Sequence, residues 1–488
     1  MRLGDLLVRA KLVSAAQVKE ALNLQVEQGG RLGDHLVAIG AVSQVDLDAF
    51  LYRTPAEPRD IAATKIEGNE LLGLLMKLIF AGRLETVRQF VDAIKLPTHI
   101  VMALVRMAVE RKFLQALGIR FGDNPADTKY AFTDEGRRWT IDTLQQSRYT
   151  GPAPVTLEEF TDQVNLQKFT NEFVTMERIR EALQDLVFED RIIQKCGPAL
   201  SSGRAILLYG PPGNGKSSVA LRLAGLFNEV IYVPYAITVD GQIIILYDPA
   251  IHRPMAAVIE TDEDALLAAS LEDYDPRWVP CQRPFVVTGG ELTLDMLDMR
   301  YDAVSQIYEA PLHMKVLGGC FVIDDFGRQL VSPAKLLNRW IVPLEGRVDY
   351  LRLHTGKSFS IPFDELVIFS TNLEPEDLMD TAFLRRLPYK IEIGAPSLEK
   401  YKEIFIRECE LHGLTLLDEV FDMIVYKVQT VKGLDLAGFH PKFIIDQVVS
   451  TCRFMKQAPS FDPTFIDFAI DNLRVTRKHA PAVREAEK

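Results

Sequence analysis

The sequence predicts an α/β fold: a parallel sheet carrying a phosphate-binding loop, followed by a helical bundle and preceded by two smaller segments. Three observations predict it. Gly210-Pro211-Pro212-Gly213-Asn214-Gly215-Lys216-Ser217 fits G-x-x-x-x-G-K-[ST] at every fixed position. Two other short apolar runs end in polar groups: Phe321-Val322-Ile323 in Asp324-Asp325, and Leu366–Phe369 in Ser370-Thr371-Asn372. From Ser397 onward the apolar periodicity is helical.

At 488 residues the chain has room for about three domains of roughly 150 residues each. With 48% hydrophobic and 25% charged residues, its composition is that of a soluble globular protein. A formal net charge of −12 argues against wholesale attraction to nucleic acid or an anionic membrane. The longest apolar runs, such as Ala205–Tyr209 and Ile243–Tyr247, are too short for a membrane span, and the N-terminus shows no signal-peptide core. The five cysteines are scattered without a C-x-x-C pair. They read as buried thiols in a reducing cytoplasm.

In chain order, residues 1–57 contain a repeat. Arg2-Leu3-Gly4-Asp5-x-Leu7-Val8 recurs as Arg31-Leu32-Gly33-Asp34-x-Leu36-Val37, and Val13-Ser14 recurs as Val42-Ser43. Each copy leads into a predicted helix, Ala15–Gln25 and Gln44–Arg53, with Ser14 and Ser43 as N-caps. This duplicated unit resembles the MshEN-type N-terminal domain of type II secretion and type IV pilus assembly ATPases. The resemblance implies a bacterial source and a binding site for cyclic di-GMP. Arg2 and Arg31 would stack on guanines or pair with phosphates. Gly4 and Gly33 would admit close backbone approach, and Gln25 would meet a base edge. Leu3, Leu32 and Leu36 would pack on purine faces beside Asp34. Lys11 stands where the second copy has Gly40, and Thr54 where a second glutamine would fall. The other reading of the repeat is a small helical docking domain with no ligand.

Thr54-Pro55-Ala56-Glu57-Pro58 reads as a linker. Beyond it, helices are predicted over Glu70–Ala81, Leu84–Ile94 and Thr98–Lys112, the last capped by Thr98 behind Pro97. Strands Leu114–Ile119 and Lys129–Thr133 flank a polar loop, Phe121–Asp127, and Glu135–Gln146 closes the segment. Residues 66–150 resemble a winged helix, with Tyr130-Ala131-Phe132-Thr133-x-x-Gly136 as the join into the last helix. The third helix carries few side chains able to read bases or phosphates, so docking or spacing is expected there and DNA binding is not. Tyr149–Val155 reads as a stiff Pro-rich connector.

Within residues 166–395, a helix over Met176–Leu186 leads to Val187-Phe188, and then to strand Ala205–Tyr209, the phosphate loop and a helix over Ser217–Phe227. Backbone N–H groups from Gly210 to Ser218 can wrap a polyphosphate at a helix N-terminus. Lys216 can reach the β- and γ-phosphates, and Ser217 can ligate Mg²⁺. Downstream come Gly318-Gly319-Cys320-Phe321-Val322-Ile323-Asp324-Asp325, then Leu366–Asn372, then Asp380-x-Ala382-Phe383-Leu384-Arg385-Arg386. These four signals in this order resemble an AAA+ ATPase. The resemblance implies that Val187 and Phe188 contact adenine. It makes Asp324 a metal-orienting carboxylate, and Asp325 the group that polarises the attacking water where the family usually has Glu. Asn372 would be sensor 1, with Arg385 and Arg386 as joint candidates for an arginine finger acting on a neighbouring subunit. Ile231–Tyr247, turning at Asp240-Gly241, and Tyr350–Phe359 are candidate hairpins. The second is either a pore-facing loop or a plain surface hairpin.

Residues 396–476 read as a lid with helices over Ser397–His412, Leu416–Val428, Pro441–Phe454 and Thr464–Val475, and with Lys442 as the sensor 2 candidate. Arg477–Lys488 reads as a frayed tail. The whole implies an ATPase using ATP and Mg²⁺ in a homo-oligomeric ring, a hexamer by resemblance. It would be governed by cyclic di-GMP and act on an unidentified client protein. Two alternatives stand beside it. One is an ATP-bound regulatory scaffold that hydrolyses poorly, pointed to by the short Asp325. The other is a DNA-bound ATPase acting through the winged helix.

Overall fold

The computed structural model describes residues 4, 7–8, 12–28, 32–118, 128–168, 174–227, 230–255, 274–379 and 381–473. Arg2, Leu3, Arg31, the loop Phe121–Asp127, Asp380 and the tail Arg477–Lys488 lie outside the described residues. The chain divides into two compact units. One comprises residues 1–173, 227–322 and 329–367; the other comprises 174–226, 323–328 and 368–488.

The first unit begins with α1 (Ala15–Gln28), α2 (Leu32–Ala38) and α3 (Gln44–Arg53). Ser14 and Ser43 cap as expected: Ser14 Oγ accepts the Gln17 N–H at 3.3 Å, and Ser43 Oγ accepts the Asp46 N–H at 3.1 Å. The repeat builds its own core from Leu7, Val13, Ala21, Leu32, Leu36, Val42 and Leu47. Leu32 and Leu36, expected on purine faces, both belong to this core. They are only 3% and 0% exposed, so their faces are already covered by the domain itself. The glycines also serve packing. A Cβ on Gly4 would lie 2.6 Å from Val18 Cγ1, and one on Gly33 2.9 Å from Leu47 Cδ2.

Next come α4 (Gly68–Gly82), α5 (Val87–Ile94), α6 (Thr98–Glu110), the antiparallel pair β1 (Leu114–Gly118) and β2 (Lys129–Phe132), and α7 (Asp134–Gln146). Pro97, not Thr98, occupies the N-cap position of α6. The proline fixes φ at −52° with extended ψ, so Thr98 already turns with the helix. The expected Thr133-x-x-Gly136 join has a physical basis. Thr133 Oγ1 accepts the Gly136 N–H at 3.0 Å, and a Cβ at 136 would lie 2.1 Å from the Phe113 carbonyl oxygen.

Both stretches read as connectors are pinned instead. The Pro55 carbonyl accepts the Asp275 N–H at 3.0 Å, and Ala56 bridges to Tyr274. Tyr149, Ala153 and Val155 are buried, and Ala153 N–H donates to the Ile94 carbonyl at 2.8 Å. Val155 then opens β3 (Val155–Thr156), which leads into α8 (Leu157–Leu166).

The chain continues through α9 (Met176–Ala182), α10 (Asp190–Ser202), β4 (Ile206–Tyr209) and α11 (Lys216–Ala224), all in the second unit. Helix α10 was not expected, and α11 ends three residues before the predicted Phe227. The chain returns to the first unit with β5 (Val230–Pro234), β6 (Ala236–Val239), β7 (Gln242–Ile245), β8 (Trp278–Gln282), β9 (Phe285–Thr288), β10 (Arg300–Asp302) and β11 (Ile307–Glu309). The expected hairpin is β6–β7 alone, turning at Asp240 and Gly241, both with positive φ. Strand β5 pairs antiparallel with β8 instead. Strands β10, β11, β7, β6 and β3 form one sheet in that order. Ile243, Ile245 and Ile307 of this sheet pack into the core of α4–α6, so the insertion and the helical segment share one interior.

The rest of the chain supplies β12 (Cys320–Ile323), α12 (Pro333–Gly346), the antiparallel hairpin β13 (Val348–Arg352) and β14 (Ser358–Pro362), β15 (Leu366–Ser370) and β16 (Tyr389–Glu392). Strand β4 runs parallel to both β15 and β16. The lid is α13 (Leu398–Leu411), α14 (Asp418–Tyr426), α15 (His440–Phe454) and α16 (Pro463–Leu473). Its core centres on Tyr401, Phe405, Phe421, Ile444, Val448 and Ile466. The five cysteines are free and buried. Among the described residues no helix is long and apolar enough to cross a membrane.

Candidate active site

Strand β4 is buried and delivers the loop 210–217 at its C-terminal end. Gly210, Gly213 and Gly215 take φ of +129°, +80° and +87°, a region that glycine enters without steric cost. A Cβ at 210 would also lie 2.6 Å from the Ile393 carbonyl oxygen. Helix α11 starts at Lys216 and so aims its unpaired N–H groups into the loop. Lys216 Nζ donates to the Gly210 and Pro211 carbonyls, each at 2.8 Å. Burial lowers the pKa of this ammonium, and the nearby Asp324 and Asp325 charges oppose that shift.

The two carboxylates have separate partners. Ser217 Oγ donates to Asp324 Oδ1 at 2.9 Å, and Asn372 Nδ2 donates to Asp325 Oδ1 at 3.0 Å. The Asp324-Asp325 turn is fixed by backbone bonds to the neighbouring strand end. Phe326 N–H donates to Ser370 O at 2.7 Å, and Thr371 Oγ1 donates to Phe326 O at 2.7 Å. Thr371 N–H is in turn bonded to Leu208 O at 2.9 Å. Residues far apart in sequence, Ser217, Asp324, Asp325 and Asn372, are thus held at one edge.

These groups line a cavity of about 880 Å³, together with Pro212 to Ser218, Val187, Phe188 and Lys442. The donor set fits the groups the loop implies. Hydroxyl and carboxylate oxygens suit Mg²⁺, and the positive-φ glycines leave a cradle that side chains would fill. Lys442 is 63% exposed at its side chain and pairs with Asp446 at 3.3 Å. Arg385 and Arg386 do not line the cavity. They follow a one-turn helix, Thr381–Leu384, in a turn. Arg385 is exposed, whereas the Arg386 guanidinium sits 5.9 Å from the centre of the Phe383 ring. In the N-terminal repeat, Gln25 is half-buried and Asp34 is exposed.

Sequence reasoning missed Phe439, Phe443, Lys400 and Arg407, which also line the cavity. Arg407 donates to the Gln184 carbonyl at 2.7 Å, tying α13 to the segment that carries Val187. None of these stands in a pattern, and only the folded lid brings them to the site.

Residues 397–472 match a family described as a domain of unknown function, DUF8689. Comparison with curated proteins finds no match. Among solved structures the chain is similar to the RuvB Holliday junction branch migration motor of Thermotoga maritima, at 15% identity over 61% of this chain and 73% of that one, with a TM-score of 0.34. It is similar to NtrX from Brucella abortus at 11% identity, over 70% and 64% of the two chains, with a TM-score of 0.34. It is also similar to domain III of the Thermotoga maritima replication initiation protein DnaA at 12% identity, over 60% and 96%, with a TM-score of 0.32. Likenesses this slight carry no inference about activity.

Proposed function

We propose that this chain is an AAA+-type ATPase that hydrolyses ATP to ADP and phosphate. The observation that carries the reading is the pairing of Ser217 with Asp324 beside that of Asn372 with Asp325, on one cavity that also receives Lys216. When bound at Ser217 and Asp324, Mg²⁺ supplies charge neutralisation on the β- and γ-phosphates. Lys216 leaves its carbonyl partners to hold phosphate oxygens. Asp325 orients a water and accepts its proton, while Asn372 fixes the carboxylate direction. Val187 and Phe188 support the base.

An exposed Arg385 outside the cavity supports a finger that works on a neighbouring protomer, which requires a head-to-tail homo-oligomer; a hexameric ring in the bacterial cytoplasm is our reading. The client protein is unidentified. For the repeat we favour docking over sensing of cyclic di-GMP, because Leu32, Leu36 and the Gly33 notch are used by its own core.

The test is phosphate release by the purified full chain with MgATP, against a Lys216→Ala control. Release at the control rate would sink the hydrolase reading. ATP binding without such release would instead favour the poorly hydrolysing scaffold, which the short Asp325 side chain supports.

A further inference from the structure

Three contacts join the phosphate loop to the start of α15. Asn214 is only 6% exposed, and its carboxamide oxygen accepts the Gly438 N–H at 2.9 Å. Its amide nitrogen lies 3.5 Å from the Pro211 carbonyl oxygen, which orients the carboxamide with its oxygen toward the lid. The Phe439 ring covers Gly213: a Cβ at 213 would lie 2.3 Å from Phe439 Cδ1. The backbones also pass closely, since a Cβ on Gly438 would lie 3.4 Å from the Gly213 carbonyl oxygen. Gly438 precedes α15, so its N–H has no place in the helix ladder, and the side chain of Asn214 supplies its acceptor.

We propose that Asn214 is a lid-positioning residue, holding the N-terminal end of α15 on the phosphate loop and thereby setting how fast the product nucleotide leaves. This rests on the ATPase reading above. Phe439, Lys442 and Phe443 reach the cavity from α15 and its approach, so lifting that end of the lid widens the exit of a bound nucleotide. Lifting breaks the Asn214–Gly438 bond. Because Asn214 belongs to the loop that grips the phosphates, whatever orders the loop also orders the lid, and the coupling is reciprocal. The aromatic contact on Gly213 fixes the closed register, and the hydrogen bond provides its directional part.

The experiment uses the full chain and a fluorescent N-methylanthraniloyl-ADP, displaced by excess unlabelled ADP in a stopped-flow instrument. Loss of one neutral, mostly buried hydrogen bond corresponds to about a 3- to 10-fold change. Asn214→Ala is therefore expected to release the analogue about 3- to 10-fold faster, with the KM for ATP raised by a similar factor. Gly438→Pro removes the donor and should give the same acceleration; the two substitutions combined should be no faster than either alone. Amide exchange over residues 436–443 provides a readout that needs neither nucleotide nor the proline variant, and it should quicken in Asn214→Ala. Unchanged release in Asn214→Ala, accelerations that multiply in the double variant, or unchanged exchange would each overturn the latch. If the wild type fails to bind the analogue, the ATPase reading falls as well, and the release-rate proposal with it. The exchange measurement then reports separately whether the bond exists.

Discussion

Asn372 Nδ2 donates to Asp325 Oδ1 at 3.0 Å while the Asp325 backbone is held at φ +48°. A non-glycine residue there is strained, and Asp and Asn tolerate the left-handed region better than Glu does. The geometry therefore accounts for an aspartate at a position where the resemblance noted in the sequence implies Glu. It also separates stability from activity. Asp325→Gly should raise the unfolding free energy by about 1 kcal/mol, because the backbone strain is relieved. The same change should lower phosphate release by about 100-fold or more, since the general base is gone. Denaturant unfolding and steady-state release measure the two; a destabilised Asp325→Gly would refute the strain account.

Acid should loosen the lid through His440. Its ring is buried, its Nδ1 accepts the Ala437 N–H at 3.2 Å, and burial pushes its pKa down from the ordinary 6.5 to about 4. The unfolded chain takes up this proton below pH 6.5, whereas the folded chain refuses it until about pH 4. The contribution of the neutral ring is thus complete above pH 6.5 and is lost as the pH falls toward 4. Glu365 acts in the opposite sense: burial raises its pKa well above the ordinary carboxyl value, so its contribution is lost as the pH rises. The His440 effect is read as a difference. Between pH 7 and pH 5 the urea midpoint of the wild type should fall further than that of His440→Asn. Parallel midpoints in the two proteins would exclude it.

The N-terminal repeat should give no heat on titration with cyclic di-GMP into the full chain. Two of its apolar candidates, Leu32 and Leu36, are buried in its own core: Leu36→Ala should cost the repeat about 2–5 kcal/mol as a buried leucine truncation, whatever ligand is present. Micromolar binding that disappears in Arg2→Ala or Arg31→Ala would restore the sensing role.

What was legible in the sequence was local and patterned. The loop 210–217 fixes its own geometry through positive-φ glycines, and the strands ending at Asp324 and Asn372 announce themselves by apolar runs. Helices α4 to α7 were read to within a few residues because each has an apolar stripe or a cap, such as the Thr86–Gln89 capping box. Helix α10 was hidden by Gly197-Pro198, a breaker pair that sits inside it. The insertion sheet was hidden because its pairings are remote, as where Val155 meets Ile237. Pro55 and Ala153 read as linker residues because prolines and small residues carry no sign of the partners that pin them. Asn214 and Gly438 lie 224 residues apart, so their meeting depends on the lid fold and on nothing local.

The two arginines after Leu384 should separate in a mixing experiment. Arg386 is engaged by its own chain, with its guanidinium over the Phe383 ring, whereas Arg385 is exposed beyond the cavity. Arg385→Ala should therefore retain ATP binding and lose hydrolysis by about 1000-fold or more, the range for removing an arginine finger, while Arg386→Ala keeps most of its rate. A finger that reaches across subunits makes a further demand. Lys216→Ala protomers have a disabled loop but an intact Arg385, and Arg385→Ala protomers have the reverse. Mixed under conditions that allow exchange, the two inactive proteins should regain phosphate release, because some pockets then pair an intact loop with an intact neighbouring arginine. The recovered rate should pass through a maximum as the mixing ratio varies. If the mixture stays as inactive as its parents after labelled protomers are seen to exchange, the finger does not act across the interface.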